Sequence, residues 1–293
     1  TLGRIPIVDV QPSLQNGAWP AKGTQGEAFP VTATVFREGH DQFGAAAVLV
    51  DPEGREVQES IMYDSHPGLN IYKGWLTPTH PGTWEFFVRA WSDPVATWYH
   101  DADIKLNAGQ DTELVFLEGA RVLTRAMEKM PARSEERKIL RDAISVMKRD
   151  RVAINLRFAA ATSEDVRRAL ATYPLRDLVT ESARLKVNVD RERALVGSWY
   201  EFFPRSAGCY YDAAAEKWVS GTLKTAAEAL DRIAAMGFDV VYLTPIHPIG
   251  ETNKKGRNNS LDSIPEDPGS PYAIGSADGG HDAIHPDLGT FED

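Results

Sequence analysis

Seven residues constrain this chain more tightly than any others: Phe238-Asp239-Val240-Val241-Tyr242-Leu243-Thr244, closed by Pro245. They are rich in β-branched and aromatic side chains. They directly follow a segment in which Leu223, Ala226, Ala227, Leu230, Ile233 and Ala234 fall on one helical face. The apolar period thus switches from about 3.6 to a short continuous run, with Gly237 at the C′ position that ends many helices. A helix, a tight turn and a strand buried on both faces satisfy this pattern, and such strands belong to parallel sheets. The earlier apolar stretch 196–203, closed by Pro204, supplies a neighbour, so the expected order is β, helix, β. Beyond the second strand runs a loop far longer than a connection requires, and such loops in compact α/β units are functional or disordered. It carries cations, amides and an aromatic past the carboxyl end of a strand, where α/β folds keep their sites.

The N-terminal hundred residues have a different texture. Apolar and alternating runs at 4–10, 30–36, 45–50, 60–63, 71–76, 83–91 and 97–106 read as strands. Asn16-Gly17, Asp51-Pro52-Glu53-Gly54, His66-Pro67-Gly68 and His80-Pro81-Gly82 supply turns between them. Trp84, Phe86 and Val88 alternate with Glu85, Phe87 and Arg89, which places one apolar row on a core. Seven such strands predict an immunoglobulin-like β-sandwich. The single cysteine, Cys209, excludes a disulfide-pinned variant. Trp75, Trp91 and Trp98 are candidate platforms for sugar rings, although packing accounts for most aromatics.

From Asp111 the period becomes helical. Leu114, Val115, Leu117, Val122, Leu123, Ala126, Met127 and Met130 mark a first helix stopped by Pro131. Ser134-Glu135-Glu136 opens a second, with an N-cap and acids in the first turn, running through Ile139, Leu140, Ala143, Ile144 and Met147 toward Phe158. Thr162 or Ser163 caps a shorter third that stops near Pro174. Residues 185–191 alternate again, and that strand is expected to return to the sandwich, making the helices an inserted hairpin. The expected organisation is therefore multidomain: sandwich at 1–107, helical insertion at 108–178, returning strand and linker at 179–195, and an α/β unit at 196–293.

A formal charge of −10 argues against nucleic acid as the main partner, and no polybasic segment points to a membrane surface. No stretch reaches the apolar length of a membrane span, and the N-terminus lacks a signal pattern. A soluble cytoplasmic protein is expected, processed or trimmed because it opens on Thr1 rather than Met. His247, His281 and His285 have irregular spacing and flanking prolines, which give no metal-ligand geometry. Neither a phosphate-cradling loop nor a dinucleotide fingerprint occurs, so neither a metal nor a cofactor is expected.

Four ordered stretches resemble the opening of the catalytic barrel of the α-amylase superfamily. They are Ser198-Trp199-Tyr200-Glu201-Phe202-Phe203-Pro204-Arg205-Ser206, then Gly221-Thr222-Leu223, then 237–248, then His285-Pro286-Asp287-Leu288-Gly289-Thr290-Phe291-Glu292-Asp293. Lys255-Gly256-Arg257-Asn258-Asn259, the inserted Ser276-Ala277-Asp278-Gly279-Gly280-His281 and the sandwich-plus-helices preamble narrow the resemblance. They resemble the α-1,4-glucan:maltose-1-phosphate maltosyltransferases of actinobacteria. The resemblance implies the start of a (β/α)8 barrel at 196–293 and retaining transfer of maltosyl from maltose 1-phosphate to the non-reducing end of an α-1,4-glucan. It also implies a homodimer, with the sandwich and helices as the expected contact. Such double displacement needs two carboxylates on an oxocarbenium-like transition state. In the superfamily those lie on later strands, and a complete barrel needs roughly 250 residues, so no catalytic residue is assigned in this chain. Glu201 and Asp239 read as structural. The implied contribution is to substrate binding: Lys255 first, then Arg257, Asn259, Tyr272 and His281. Arg257 suits bidentate work on an anion but also suits pinning its loop to an acid, and Asn258 and Asn259 also suit turn formation. Two other readings stand beside this one, an amylase-type hydrolase or remodelling transferase, and a non-catalytic glucan-binding or dimerisation module.

Overall fold

The structure is a computed structural model that describes residues 3–293. It divides into two compact units, with the boundary between Glu192 and Arg193.

The first unit opens with eight strands: β1 (Ile7–Gln11), β2 (Ala21–Thr24), β3 (Phe29–Val35), β4 (Phe43–Val50), β5 (Glu56–Ile61), β6 (Tyr63–His66), β7 (Ile71–Leu76) and β8 (Gly82–Ser92). Five helices follow, α1 (Pro94–Asn107), α2 (Thr112–Glu128), α3 (Glu135–Met147), α4 (Ile154–Ala161) and α5 (Glu164–Thr172), and then β9 (Asp177–Glu181) and β10 (Leu185–Asp190). One sheet has the order β1-β3-β7-β6, and the other β2-β10-β8-β4-β5 with β9 also on β8. Strand β8 is long enough to take two partners along one edge. Its first half pairs with β10 and its second half with β9, while β4 runs along the other edge.

Alternate residues of these strands build one core shared by both sheets. Val31, Ala33 and Val35 of β3 meet Ala45, Ala47 and Leu49 of β4, and Trp84, Phe86, Val88 and Ala90 of β8. The row Trp84-Phe86-Val88 predicted from alternation is therefore buried as expected. The reverse face of β4 and β8 is also closed, because Val48, Val50 and Phe87 form a small second cluster. Arg89 and Arg184 lie over the Phe87 ring. Arg89 ties three strands at once, pairing with Glu56, Glu59 and Glu181.

One strand expectation is overturned. Residues 97–106 form α1, not a strand. Asp93 caps the helix by accepting from the Ala96 N–H, and Pro94 takes the first turn. Val95, Trp98 and Ala102 then bury one face at helical spacing. In place of a hairpin, five helices close around Trp98, Phe116, Leu123, Leu140, Met147 and Val166. Ser134 and Ser163 act as N-caps. The second helix stops at Met147 instead of continuing toward Phe158. Strand β10 pairs antiparallel with β8 and parallel with β2, so the helices are flanked in sequence by strands of one sheet. Trp91 and Trp98 are 5% exposed, which removes them as sugar platforms; Trp75 stays 43% exposed.

The second unit contains β11 (Trp199–Phe202), a hairpin of β12 (Tyr210–Asp212) and β13 (Lys217–Val219), α6 (Leu223–Ala227), α7 (Leu230–Ala235) and β14 (Val240–Leu243). Strands β11 and β14 are parallel, in the register Trp199↔Val240 to Phe202↔Leu243. The single helix expected over 223–236 is broken between Ala227 and Leu230. Gly237 ends it with φ +85°, as its position predicted. Full burial of the strand pair is not realised: Trp199 is 63% and Tyr242 42% exposed. The reason is that this sheet has two strands among the described residues, so its Trp199–Glu201–Tyr242 face lacks cover.

Candidate functional site

Parallel pairing puts the carboxyl ends of β11 and β14 side by side, so the segments leaving them meet. Phe203 enters a short helical turn, Pro204–Ser206, while Thr244-Pro245-Ile246-His247 leaves β14. With Pro268–Pro271 and the His285–Leu288 segment of the long loop they enclose a cavity of about 210 Å³. Its walls are proline and aliphatic surface, with Arg205, Ser206, Thr244, His247 and His285 as polar groups.

Each cationic or imidazole group has a defined hydrogen-bond setting. Arg205 donates through Nη1 to Asp287 Oδ2 at 3.0 Å and to Ser220 Oγ at 3.2 Å. Its Nη2 is buried without a partner among the described residues. His247 is buried, with Nδ1 2.9 Å from the Pro248 carbonyl. A carbonyl only accepts, so Nδ1 carries the proton and the neutral ring offers Nε2 as an acceptor. His285 has the opposite tautomer. Its Nδ1 accepts from the Asp287 N–H at 3.1 Å, which leaves Nε2–H to donate, and its own N–H donates to the Ile246 carbonyl at 2.8 Å. Burial pushes the His285 pKa below its ordinary value, and the Arg205 charge adds to that; Asp287 and Asp278 oppose it. The cavity therefore presents one imidazole donor and one imidazole acceptor beside a guanidinium, a set suited to hydroxyl groups.

The five residues expected to bind substrate fall into two places. Tyr272 and His281 are tied back to the strands. The exposed Tyr272 hydroxyl donates to Glu201 Oε1 at 3.0 Å, and that carboxylate raises the phenol pKa. Glu201 thus fastens the long loop to the open face of β11. His281 sets its ring edge-to-face with His247, centroids 5.2 Å apart. Lys255, Arg257 and Asn259 lie together on a separate turn and do not line the cavity. Lys255 is half-buried and makes neither an ion pair nor a hydrogen bond among the described residues. Arg257 Nε approaches the buried Asp267 carboxylate at 3.7 Å, and Asn258 and Asn259 both have positive φ, as turn formers do. Neighbouring Lys254 closes the turn by donating to the Pro265 carbonyl at 3.1 Å.

Asp239 lies at the opposite end of β14 and is structural. It accepts from the Ser198 N–H at 3.0 Å, the chief cause of its lowered pKa, and pairs with Arg193. Among the described residues no group of three His, Cys, Asp or Glu side chains is arranged to hold a metal ion. Arg205 and Asp287 were not singled out for the site by sequence reasoning, and His247 and His285 were weighed only as metal ligands. The available signal was position: Arg205 and His247 each follow closely on the end of a parallel strand.

Comparison with known proteins agrees along the whole chain. The family described as Alpha-1,4-glucan:maltose-1-phosphate maltosyltransferase, domain N/S, matches residues 3–191. The α-1,4-glucan:maltose-1-phosphate maltosyltransferase of Arcanobacterium haemolyticum is 58% identical over 293 residues, covering 100% of this chain and 42% of its own length. Maltosyltransferase 1 of Streptomyces coelicolor is 51% identical, with coverages of 100% and 42%. The Corynebacterium glutamicum enzyme is 46% identical, with coverages of 99% and 43%. The chain thus spans about two fifths of the length of these curated relatives. Among solved structures, the Lin-41 filamin domain covers 30% of this chain and 78% of its own, at 13% identity and a TM-score of 0.21, too faint a likeness to argue from.

Proposed function

We propose that this chain, which belongs to the α-1,4-glucan:maltose-1-phosphate maltosyltransferase family, is the N-terminal portion of a retaining glycosyltransferase. The enzyme moves maltosyl from maltose 1-phosphate to the non-reducing end of an α-1,4-glucan. In this reading the second unit is the start of a (β/α)8 barrel, the five helices are an insertion in an immunoglobulin-like sandwich, and the enzyme is a cytoplasmic homodimer. The observation that carries the reading is the parallel β11–β14 pair with a hydroxyl-suited cavity at its carboxyl ends, the place where such barrels work.

The division of labour follows from the chemistry. A carboxylate displaces phosphate from the anomeric carbon, giving a covalent maltosyl intermediate. An acid protonates the departing phosphate and, as base, later activates the glucan hydroxyl that takes the sugar. Both carboxylates come from elsewhere in the enzyme. This chain contributes binding: Tyr272, held by Glu201, offers a flat face to a sugar, His281 supports His247, and the Lys255–Asn259 turn supplies cations and amides toward the donor. A chain extended beyond Asp293 is expected to release phosphate from maltose 1-phosphate only when glucan is present. Lys255→Ala in that chain is expected to raise the donor KM about tenfold or more, the loss of one charged hydrogen bond. An unchanged KM removes Lys255 from the site. Reducing sugar released from starch without any sugar phosphate establishes the hydrolase reading instead.

A further inference from the structure

The first unit has a cavity of its own, about 390 Å³, at one end of the sandwich. One wall is the turn joining β4 to β5, the other the segment between β7 and β8. Hydrogen bonds within each wall and one between them hold the lining in place. The Asp51 carboxylate accepts from the Arg55 main-chain N–H at 2.8 Å and from its Nε at 2.7 Å. Gln58 Oε1 accepts from the Thr77 N–H at 2.9 Å, and buried Trp84 donates through Nε1 to the His80 carbonyl at 3.0 Å.

Those bonds leave a set of side-chain atoms unspent. Among the described residues the Thr77 and Thr79 hydroxyls and Arg55 Nη1 make no hydrogen bond. His80 Nδ1 lies 3.1 Å from the Pro81 carbonyl, so the neutral ring leaves Nε2 as an acceptor. Beside these groups are apolar surfaces, the methyls of half-exposed Val57 and the His80 ring, which rests on Trp84 at 4.7 Å. Formal charge in the lining cancels, Asp51 against Arg55, so neither a phosphate nor a cation finds a net attraction. A rigid, neutral cavity that alternates hydroxyls with C–H surface matches a pyranose ring, which has an apolar face and a polar rim. Its volume sits at the small end of ligand pockets, about 300–1,000 Å³, which suits a short segment or chain end.

We propose that this cavity is a second carbohydrate site, binding a neutral oligosaccharide through Thr77, Thr79, His80 and Arg55, with α-glucan as its ligand. That the ligand is α-glucan rests on the function proposed above; that it is a neutral polyol rests on the cavity alone. The test is calorimetric titration of the 293-residue chain with maltoheptaose. Binding is expected, and inorganic phosphate is expected not to displace it. Thr79→Val and His80→Ala are each expected to weaken it about fivefold, one net hydrogen bond apiece, while Trp75→Ala leaves it unchanged. Thr79 is exposed, so its valine variant keeps the fold, and His80→Ala is read beside it. Affinity unchanged from the parent chain in both variants, loss of binding in Trp75→Ala, or no heat at millimolar sugar each overturns the site. Phosphate release from maltose 1-phosphate by the extended enzyme separates the two proposals. Release without maltoheptaose binding by this chain rejects the site alone, and binding without release upholds the site and rejects the transferase.

Discussion

Gly221 offers a sharp test of how the strand-end cavity is built. It is buried immediately before the helix cap Thr222, and its N–H donates to the Arg205 carbonyl at 2.8 Å. A Cβ at this position meets the Ala207 carbonyl oxygen at 2.1 Å and the Pro204 oxygen at 2.6 Å. Both are main-chain atoms of the turn that carries Arg205. Reaching even 3.0 Å, the lower limit of Cβ contacts, moves the Ala207 oxygen by roughly 0.9 Å, the gap between 3.0 and 2.1 Å. That oxygen also accepts from the Thr225 hydroxyl at 2.6 Å, so the capping box is strained with it. Gly221→Ala is therefore expected to cost about 1–3 kcal/mol of overpacking and about 1 kcal/mol for the weakened hydrogen bond. No helix-propensity gain offsets this, because Gly221 lies outside α6. For a unit of this size each kcal/mol lowers the melting temperature by about 4–8 °C. The lone cysteine, Cys209, is exposed in the same unit, so a fluorophore there follows its unfolding in urea separately from the sandwich. A loss below about 0.5 kcal/mol, the range of ordinary surface changes, refutes the packing argument.

Arg157 and His285 carry the remaining outcomes. Arg157, 2% exposed, donates to the Met147 carbonyl at 2.8 Å, pairs with both oxygens of Glu113 and lies 3.9 Å over the Phe116 ring. Arg157→Met is expected to cost about 2–4 kcal/mol in urea unfolding, from an orphaned carbonyl and a lost cation–π contact, partly offset by removing a buried charge; an unchanged midpoint refutes it. The same substitution should let the Glu113 carboxyl, held low chiefly by its hydrogen bond from Arg157, titrate nearer its ordinary value. His285 sets a pH dependence. Its folded pKa is depressed below the ordinary 6.5, so the unfolded chain takes up the proton first as pH falls. Its share of stability is thus present above about pH 6.5 and lost below it. Unfolding midpoints compared between about pH 8 and about pH 5 should fall less in His285→Asn than in the parent, and parallel curves refute the assignment.

Local chemistry was legible where it acts on near neighbours. Ser134 and Ser163 were readable as caps, Gly237 as a helix stop, and Trp84-Phe86-Val88 as a core row, because each follows from residues a few positions apart. Residues 97–106 misled because polar and apolar residues alternate there, and the competing signal, Asp93 before Pro94, lay just outside the window. Strands β2, β9, β12 and β13 went unseen because they are short and gain their order from partners. The candidate site was legible only in part. The long loop and its carriers Tyr272 and His281 stood out, whereas the cavity beside them depends on Arg205 meeting Asp287, 82 residues away.

What the sequence determined alone was the alternation of periods: two-residue, then helical, then a short apolar run between helix and proline, together with the motifs that place the chain in its family. Tertiary structure decided the rest. It made β11 and β14 parallel neighbours, handed Tyr272 to Glu201, separated the Lys255 turn from the histidines, and buried two tryptophans that composition had offered to a ligand. Periodicity arises from sterics within a turn or two of backbone. Which side chains meet depends on how distant segments close over one another, and no window of adjacent residues records that closure.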